Sequence, residues 1–221
     1  KIHKSGVNVD ISLDEKNDKN SINGVFKSKI LNTHLKFNFI YDEKSINIYN
    51  SFFRSKNLSF ENNNLIVFEP FLDIKSNFKI DDIDIEIFNK FKIEKLLTYK
   101  NLLKQINSKN EINFNSKKFS RNFIDKLDLK FDLAYGRLNY SKNTSISDNI
   151  FNCKGSINLL EEFPLLFFDC SINSNTKRDF FKNFDINVKK ENNIFNLNVK
   201  GNLSVINNKI NFKEISINNN Y

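Results

Sequence analysis

The chain of 221 residues contains no methionine, two histidines, two cysteines, two prolines and five glycines. Because methionine is missing there is no initiator, and we expect the sequence to be an internal piece of a longer protein. His3 and His34 are not spaced with cysteines or carboxylates as metal ligands are, so we expect no zinc site. The glycines are isolated, which excludes a phosphate loop and a dinucleotide fingerprint from this stretch. With no catalytic triad either, we predict no enzyme activity and no cofactor.

Long apolar runs are also missing. The strongest apolar cluster is the short stretch 165–168, far below the roughly 18 residues that a membrane-spanning helix needs. We also expect no signal peptide within these residues. We therefore predict no membrane span within these residues.

The formal net charge is +8. A basic balance often indicates an anionic partner such as nucleic acid or a membrane surface. Here Asn, Lys, Ile and Phe are all abundant, as in proteins of AT-rich genomes, and the charges are scattered instead of forming a stripe. The residues Phe52, Phe53, Arg54 and Phe60 could stack on single-stranded nucleic acid, but alternating aromatics are also typical of a sheet core. We interpret them as core and predict no nucleic-acid partner.

What the sequence has in abundance is apolar and polar residues in alternation, the pattern of half-buried β-strands. The clearest case is 149–173, which predicts a hairpin turning between Glu161 and Glu162. That register sets Cys153 opposite Cys170 on one face and Lys154 opposite Asp169 on the other. The cysteines form a possible disulfide if the compartment is oxidising, with Cα atoms about 4.4 to 6.8 Å apart.

Further strands are predicted on both sides of this hairpin. The three asparagines at 62–64 predict a turn between two short strands. Near the end of the chain, one hairpin is predicted around 191–192 and another around 207–208. The first would pair Ile186 and Val188 with Leu197 and Phe195, and the second would pair Leu203 with Phe212.

The period changes to three and four residues within 82–108, which predicts an amphipathic, lysine-rich helical segment. Such a helix can lie on an anionic membrane or cover the end of a sheet, and we interpret it as a cap. We thus predict an N-terminal β-meander at 1–81, a helical insertion at 82–108 and a second β-meander at 109–221, continuous with the first. The predicted fold is mainly β: an elongated, antiparallel, strongly twisted meander or groove with one interrupting amphipathic helical segment.

Two segments carry a family resemblance. The run VKGNLSVINNKINFKEISI at 199–217 and the segment LDLKFDLAYGRLNYS at 127–141 resemble the AsmA-like family in an AT-rich, marine-bacterial form. The resemblance covers the second half through its order of glycine, strand, turn and strand, and the first half by pattern alone. It implies an elongated periplasmic β-groove, anchored in the inner membrane by a helix outside this stretch and linked to outer-membrane assembly and lipid traffic. The family has no catalytic motif to transfer.

A long sheet with one apolar face must close on itself, pack on a second layer or keep a hydrophobic trough. We predict a trough that binds or conducts acyl chains of phospholipid or another acyl lipid between the inner and outer membranes. The alternative is a structural or adhesion-type β-repeat module with a closed core and no lipid role. The predicted lipid-facing residues are Phe151, Ile157, Leu166, Phe168, Ile172, Ile186, Val188, Phe195, Leu197 and Val199.

Overall fold

The computed structural model describes residues 6–14, 21–83, 93–116, 124–147, 149–175, 178, 181, 186–187 and 194–218. Thirteen strands form one sheet in the order in which they occur along the chain. Every neighbouring pair is antiparallel except β6 and β7, which are parallel. The predicted mainly-β, antiparallel fold with one interrupting helical segment is confirmed.

The strands are β1 Val7–Leu13, β2 Ile22–Ile30, β3 Thr33–Tyr41, β4 Ser45–Arg54, β5 Leu58–Val67, β6 Leu72–Ile83, β7 Ile106–Asn115, β8 Lys126–Ala134, β9 Arg137–Ile146, β10 Asn149–Asn158, β11 Leu165–Ser174, β12 Phe195–Ser204 and β13 Lys209–Ile217. Several turns between them are tight. Tyr135 and Gly136 connect β8 to β9 with φ angles of 48° and 82°. Two consecutive positive φ angles give a turn whose twist matches that of antiparallel strands.

The strand registers divide the paired residues between two faces, because cross-strand partners lie on the same side of a sheet. One row of partners crosses strands β7 to β12 and consists of Phe114, Leu127, Thr144, Phe151, Ile172 and Leu197. We call the face that carries this row the apolar face. The opposite, polar face carries residues such as Lys154, which lies opposite Asp169 as predicted.

The helical segment lies in the crossover between the parallel strands β6 and β7. Its described part consists of a 3₁₀ helix at Ile93–Tyr99 and a short α-helix, α1, at Lys100–Leu103, while residues 84–92 lie outside the described residues. The predicted helical range of 82–108 is therefore too long at both ends. Strand β6 continues to Ile83, and Ile106 at the start of β7 pairs with Leu72. The backbone N–H and C=O groups of these residues make hydrogen bonds between strands, so the residues are not part of a helix.

One predicted local turn is wrong. Residues 62–64 do not turn but lie within β5, where all three pair with β6 and Asn62 and Asn64 also pair with β4. The predicted hairpin around 191–192 lies outside the described residues, and its expected β12 partner Leu197 is paired with β11 and with β13. Pairing with two neighbouring strands thus overrides the local turn preference of asparagine.

The last hairpin, β12 to β13, differs from the prediction by two residues. Leu203 pairs with Ile210, and Gly201 pairs with Phe212. The turn is longer than the two predicted residues, because Val205 and Ile206 belong to it and not to the strand. The shift of two keeps Leu203, Ile210 and Phe212 on their predicted face. A bulge between Lys200 and Gly201 changes the register by one residue beyond this point, so that Val199 pairs with Ile215.

Candidate functional site: the apolar face of the sheet

The apolar face is largely uncovered. In the part of the chain that the structure describes, all thirteen strands belong to one sheet, so no second sheet packs on this face. The edges are the most open, with Ile11 on β1 58% exposed and Phe212 on β13 57% exposed. The fully buried hydrophobic residues among those described are few: Leu103, Phe114, Leu127, Ile157, Leu159, Phe195 and Val205. Most apolar side chains on this face are therefore in contact with solvent and are not enclosed in a hydrophobic core.

Most of the predicted lipid-facing residues do come together on this face. Phe151, Ile172 and Leu197 are partners in one row, while Val199 pairs with Cys170 in the next row. Phe168 lies between Gly155 and Gly201. Leu166 is opposite Leu203, nearer the turns. The half-buried members of this set are Phe151, Leu166, Phe168, Ile172, Leu197 and Val199. These six side chains form the wall of the candidate trough.

The other four predicted residues have different positions. Ile157 and Phe195 are each only 2% exposed, so they are part of the packing at the two ends of the strands. Ile186 lies outside the sheet and is exposed, so it does not contribute to the trough wall. Val188 lies outside the described residues.

The helical segment closes one end of the trough, at one end of the strands. Leu103 packs with Ile157, Leu159 and Val205 at the ends of the strands where the β8–β9, β10–β11 and β12–β13 turns lie. At the other ends, Phe195 contacts Phe181 with ring centroids 5.8 Å apart. The apolar surface between these two packed ends runs across the strands. From β7 to β13 it spans six strand spacings, about 29 Å.

The disulfide lies in the middle of this surface. Cys153 is opposite Cys170, as the hairpin register predicts, and the two residues are disulfide-bonded. Their Cα atoms are 4.1 Å apart, slightly less than the expected range. The bond joins β10 to β11 and adds a sulfur-containing, apolar patch to the wall.

Small polar residues interrupt the apolar face near its centre. Asn64 donates to the side-chain oxygen of Asn62, and Asn110 donates to Ser108 at 2.9 Å. The members of this polar belt on β4 to β7 are Ser51, Asn62, Asn64, Ser76, Ser108 and Asn110. The belt separates an aromatic cluster on β2 to β5 from the wall on β8 to β13. The candidate site is therefore the C-terminal part of the face.

Among the described residues paired in the sheet, one charged side chain lies on this face, and the sequence analysis did not identify it. Lys142 on β9 pairs with Leu129 and Cys153, both on the apolar face. Burial lowers the pKa of its ammonium group and raises the pKa of the Tyr140 hydroxyl, two residues earlier. The sequence does indicate this position, because alternate residues of a strand share a face, and Lys142 follows the apolar Leu138 by four residues.

The polar face is different in kind, because its charges are paired across strands. Lys130 contacts Glu111 at 2.9 Å, and Glu111 raises the pKa of Lys130 through this hydrogen bond. A groove of about 720 Å³ lies mainly on this side and is lined by polar and charged residues such as Asn63 and Lys109. The proposed aromatic stacking set is divided, because Phe52 and Arg54 are on the polar face while Phe53 and Phe60 are on the apolar face.

The described residues contain no group of three or more histidine, cysteine or acidic side chains that could hold a metal ion. No helix within them is long and apolar enough to cross a membrane. Comparison of the chain with protein-family models, with curated proteins and with solved structures gives no match.

Proposed function

We propose that the C-terminal part of the apolar face binds lipid acyl chains, and that the protein is an AsmA-like periplasmic protein. In this proposal it conducts phospholipid or another acyl lipid between the inner and outer membranes and so supports outer-membrane assembly. A segment outside this sequence anchors it in the inner membrane. One observation carries the proposal: within the described residues, a sheet of thirteen strands has an apolar face on which no second sheet packs.

Such a face is costly in water. Soluble proteins rarely expose contiguous apolar patches larger than a few hundred Å², and larger patches mark binding surfaces. An acyl chain that lies on the wall removes apolar area from water and gains about 0.8 kcal/mol per buried methylene. This attraction is non-directional, so the bound chain is free to shift along the wall.

The geometry favours one direction of movement. Because the ends of the strands are packed, by Leu103 and its neighbours on one side and by Phe195 on the other, a bound chain lies across the strands. Movement across the strands leads toward β13, whose outer edge is unpaired in the described sheet. A lipid would therefore travel along the length of the sheet.

Adjacent residues of β11 provide a matched test. Phe168 lies on the apolar face, whereas Phe167 is 44% exposed on the polar face. We expect Phe168→Asp to keep its cooperative thermal unfolding but to lose bound lipid, because a carboxylate in the wall must be desolvated by each acyl chain that covers it. Phe167→Asp should retain lipid as the wild type does. Lipid in the purified proteins is measured by mass spectrometry and folding by thermal melting.

The structural-module alternative makes the opposite prediction. If lipid is absent from the wild type and Phe168→Asp unfolds the protein, the face is a closed core in solution. A buried, unpaired charge is among the most destabilising substitutions, so unfolding would be the expected result in that case. The packed ends of the strands are the feature that favours this second candidate.

A further inference from the structure

We propose that Lys142 binds the headgroup of the lipid and that the preferred ligand is a diacyl phospholipid of net negative charge. This inference rests on the proposed function, since it assigns the substrate class of the same face. The first observation is that Lys142 is the only charged side chain on the apolar face among the described residues that pair in the ladders.

Lys142 is also unpaired within the described part of the chain. Other lysines on the sheet meet acids on the polar face, such as Lys154 with Asp169 at 3.9 Å and Lys126 with Asp128 at 2.9 Å. No described carboxylate lies within ion-pair distance of Lys142. The residue as a whole is accessible to solvent, although the surrounding side chains partly desolvate its ammonium group and so lower its pKa. An ammonium group on an apolar wall attracts an anion that arrives with acyl chains.

A neighbouring position of β9 on the same face adds a hydroxyl group. Tyr140 precedes Lys142 by two residues, and its ring covers Gly155 on β10. Thr144, two residues after Lys142, is only 1% exposed, so its hydroxyl is not accessible to a lipid headgroup. Strand β9 therefore presents a phenol and an ammonium group on this face. Phosphate oxygens accept hydrogen bonds from both kinds of donor.

The position of Lys142 argues for a phospholipid with two chains. Apolar partners continue on both sides of it, as Leu129 and Ile112 in one direction and Cys153, Cys170 and Val199 in the other. Apolar surface for one acyl chain therefore lies on each side of the headgroup.

The single ammonium group of Lys142 balances a headgroup with one net negative charge. A zwitterionic headgroup already carries a positive charge, so it gains less from Lys142.

The test offers the whole chain equimolar dioleoylphosphatidylglycerol, dioleoylphosphatidylcholine and oleate in mixed vesicles. Vesicles are then removed, and lipid retained by the protein is quantified by mass spectrometry. Loading at about 1 M salt, where the Debye length is about 3 Å, suppresses attraction of the basic protein to the vesicle surface. The variants are Lys142→Gln, Lys142→Arg and, as a control of equal charge change on the polar face, Lys154→Gln.

We expect the wild type, Lys142→Arg and Lys154→Gln to retain phosphatidylglycerol about tenfold over phosphatidylcholine. Lys142→Gln should retain the same total lipid with a ratio near one. Equal retention of both phospholipids by the wild type, or a preference that survives in Lys142→Gln, overturns the headgroup site while leaving acyl-chain binding intact. Preferential retention of oleate overturns the phospholipid assignment. If no variant retains any lipid, the proposed function fails and this inference fails with it.

Discussion

Phe168 and Phe212 lie on strands that are not neighbours, yet their ring centroids are 6.3 Å apart. The strand between them, β12, places Gly201 opposite both residues, so the two rings meet above a position without a side chain. A Cβ atom at Gly201 would lie 2.8 Å from the Phe168 ring and would also meet the Asn211 carbonyl oxygen. The same device recurs on β10, where the Tyr140 ring lies over Gly155. Aromatic rings from neighbouring strands thus cover the glycine positions, so the apolar surface of the wall is continuous there.

Substitution of the central glycine should disrupt this arrangement. We expect Gly201→Val to lower the free energy of unfolding by about 1–3 kcal/mol, because the new side chain overlaps a backbone carbonyl group that cannot move away freely. Urea denaturation measures the change. Lys209→Ala on the adjacent edge strand is the control, and we expect it to change stability by less than about 0.5 kcal/mol. A stable Gly201→Val protein would mean that the β12–β13 register is incorrect.

The disulfide should contribute to stability even though the hairpin is already hydrogen-bonded. Cys153 and Cys170 are 17 residues apart in sequence, a loop whose closure restricts the unfolded chain by about 3 kcal/mol. We expect dithiothreitol to lower the urea midpoint of the wild type. The double variant Cys153→Ser, Cys170→Ser should begin at the lower midpoint and show no response to dithiothreitol. A wild type that is insensitive to reductant would contradict the bond.

The helical cap offers a matched pair of neighbouring leucines. Leu103 is 7% exposed in the cluster with Ile157 and Leu159, while Leu102 is 52% exposed. We expect Leu103→Ala to cost about 2–4 kcal/mol, through lost burial and the cavity that remains. Leu102→Ala should cost less than about 0.5 kcal/mol. Equal effects in urea denaturation would show that the cap does not pack on the ends of the strands as described.

The turn between β3 and β4 should give a pH-dependent contribution. The backbone N–H of Lys44 donates to the Asp42 carboxylate at 2.8 Å, and this bond, assisted by Ser45, lowers the pKa of Asp42 below its ordinary value of 3.8. A lowered carboxyl pKa stabilises the fold above pH 3.8, and this stabilisation is lost as the pH falls through the lowered pKa.

We therefore expect Asp42→Ala to lower the melting temperature most at neutral pH and progressively less below pH 3.8. Glu43→Ala, which removes a neighbouring exposed negative charge, should show a smaller effect that does not follow this pattern. If the Asp42→Ala difference were the same at pH 7 and at pH 2, the carboxylate would not be the group that holds the turn.

The sequence was sufficient to predict strands wherever alternation was clear, and the β10–β11 register followed from satisfying both faces at once. It failed where pairing is decided by distant strands. Residues 62–64 have the local chemistry of a turn, but β4 and β6 hold them extended from both sides. Ile186 shares the alternation of a strand, yet β12 had no free edge for it. The length of the helical segment depended on where the parallel β6–β7 ladder begins.

The candidate site was predicted in part for the same reason. Alternation identifies which residues share a face within one hairpin, so Phe151, Phe168 and Ile172 could be assigned together. The packing at the ends of the strands comes from the crossover and from Phe181, which no local pattern places there. The alternation of β9 indicates the face of Lys142, but its apolar partners Leu129 and Cys153 follow only from the β8–β9 and β9–β10 registers.

The central claim is that lipid lies on one face of the sheet and not on the other, and strand β12 tests it most directly. A photo-crosslinking amino acid is placed in turn at Asn196, Leu197, Asn198 and Val199, and lipid adducts are measured by mass spectrometry after irradiation in the presence of dioleoylphosphatidylglycerol vesicles. The odd-numbered positions face the wall, and the even-numbered positions lie on the polar face. We predict adducts at Leu197 and Val199 and none at Asn196 and Asn198. Equal adducts at all four positions, or none at any of them, would contradict a lipid-binding apolar face.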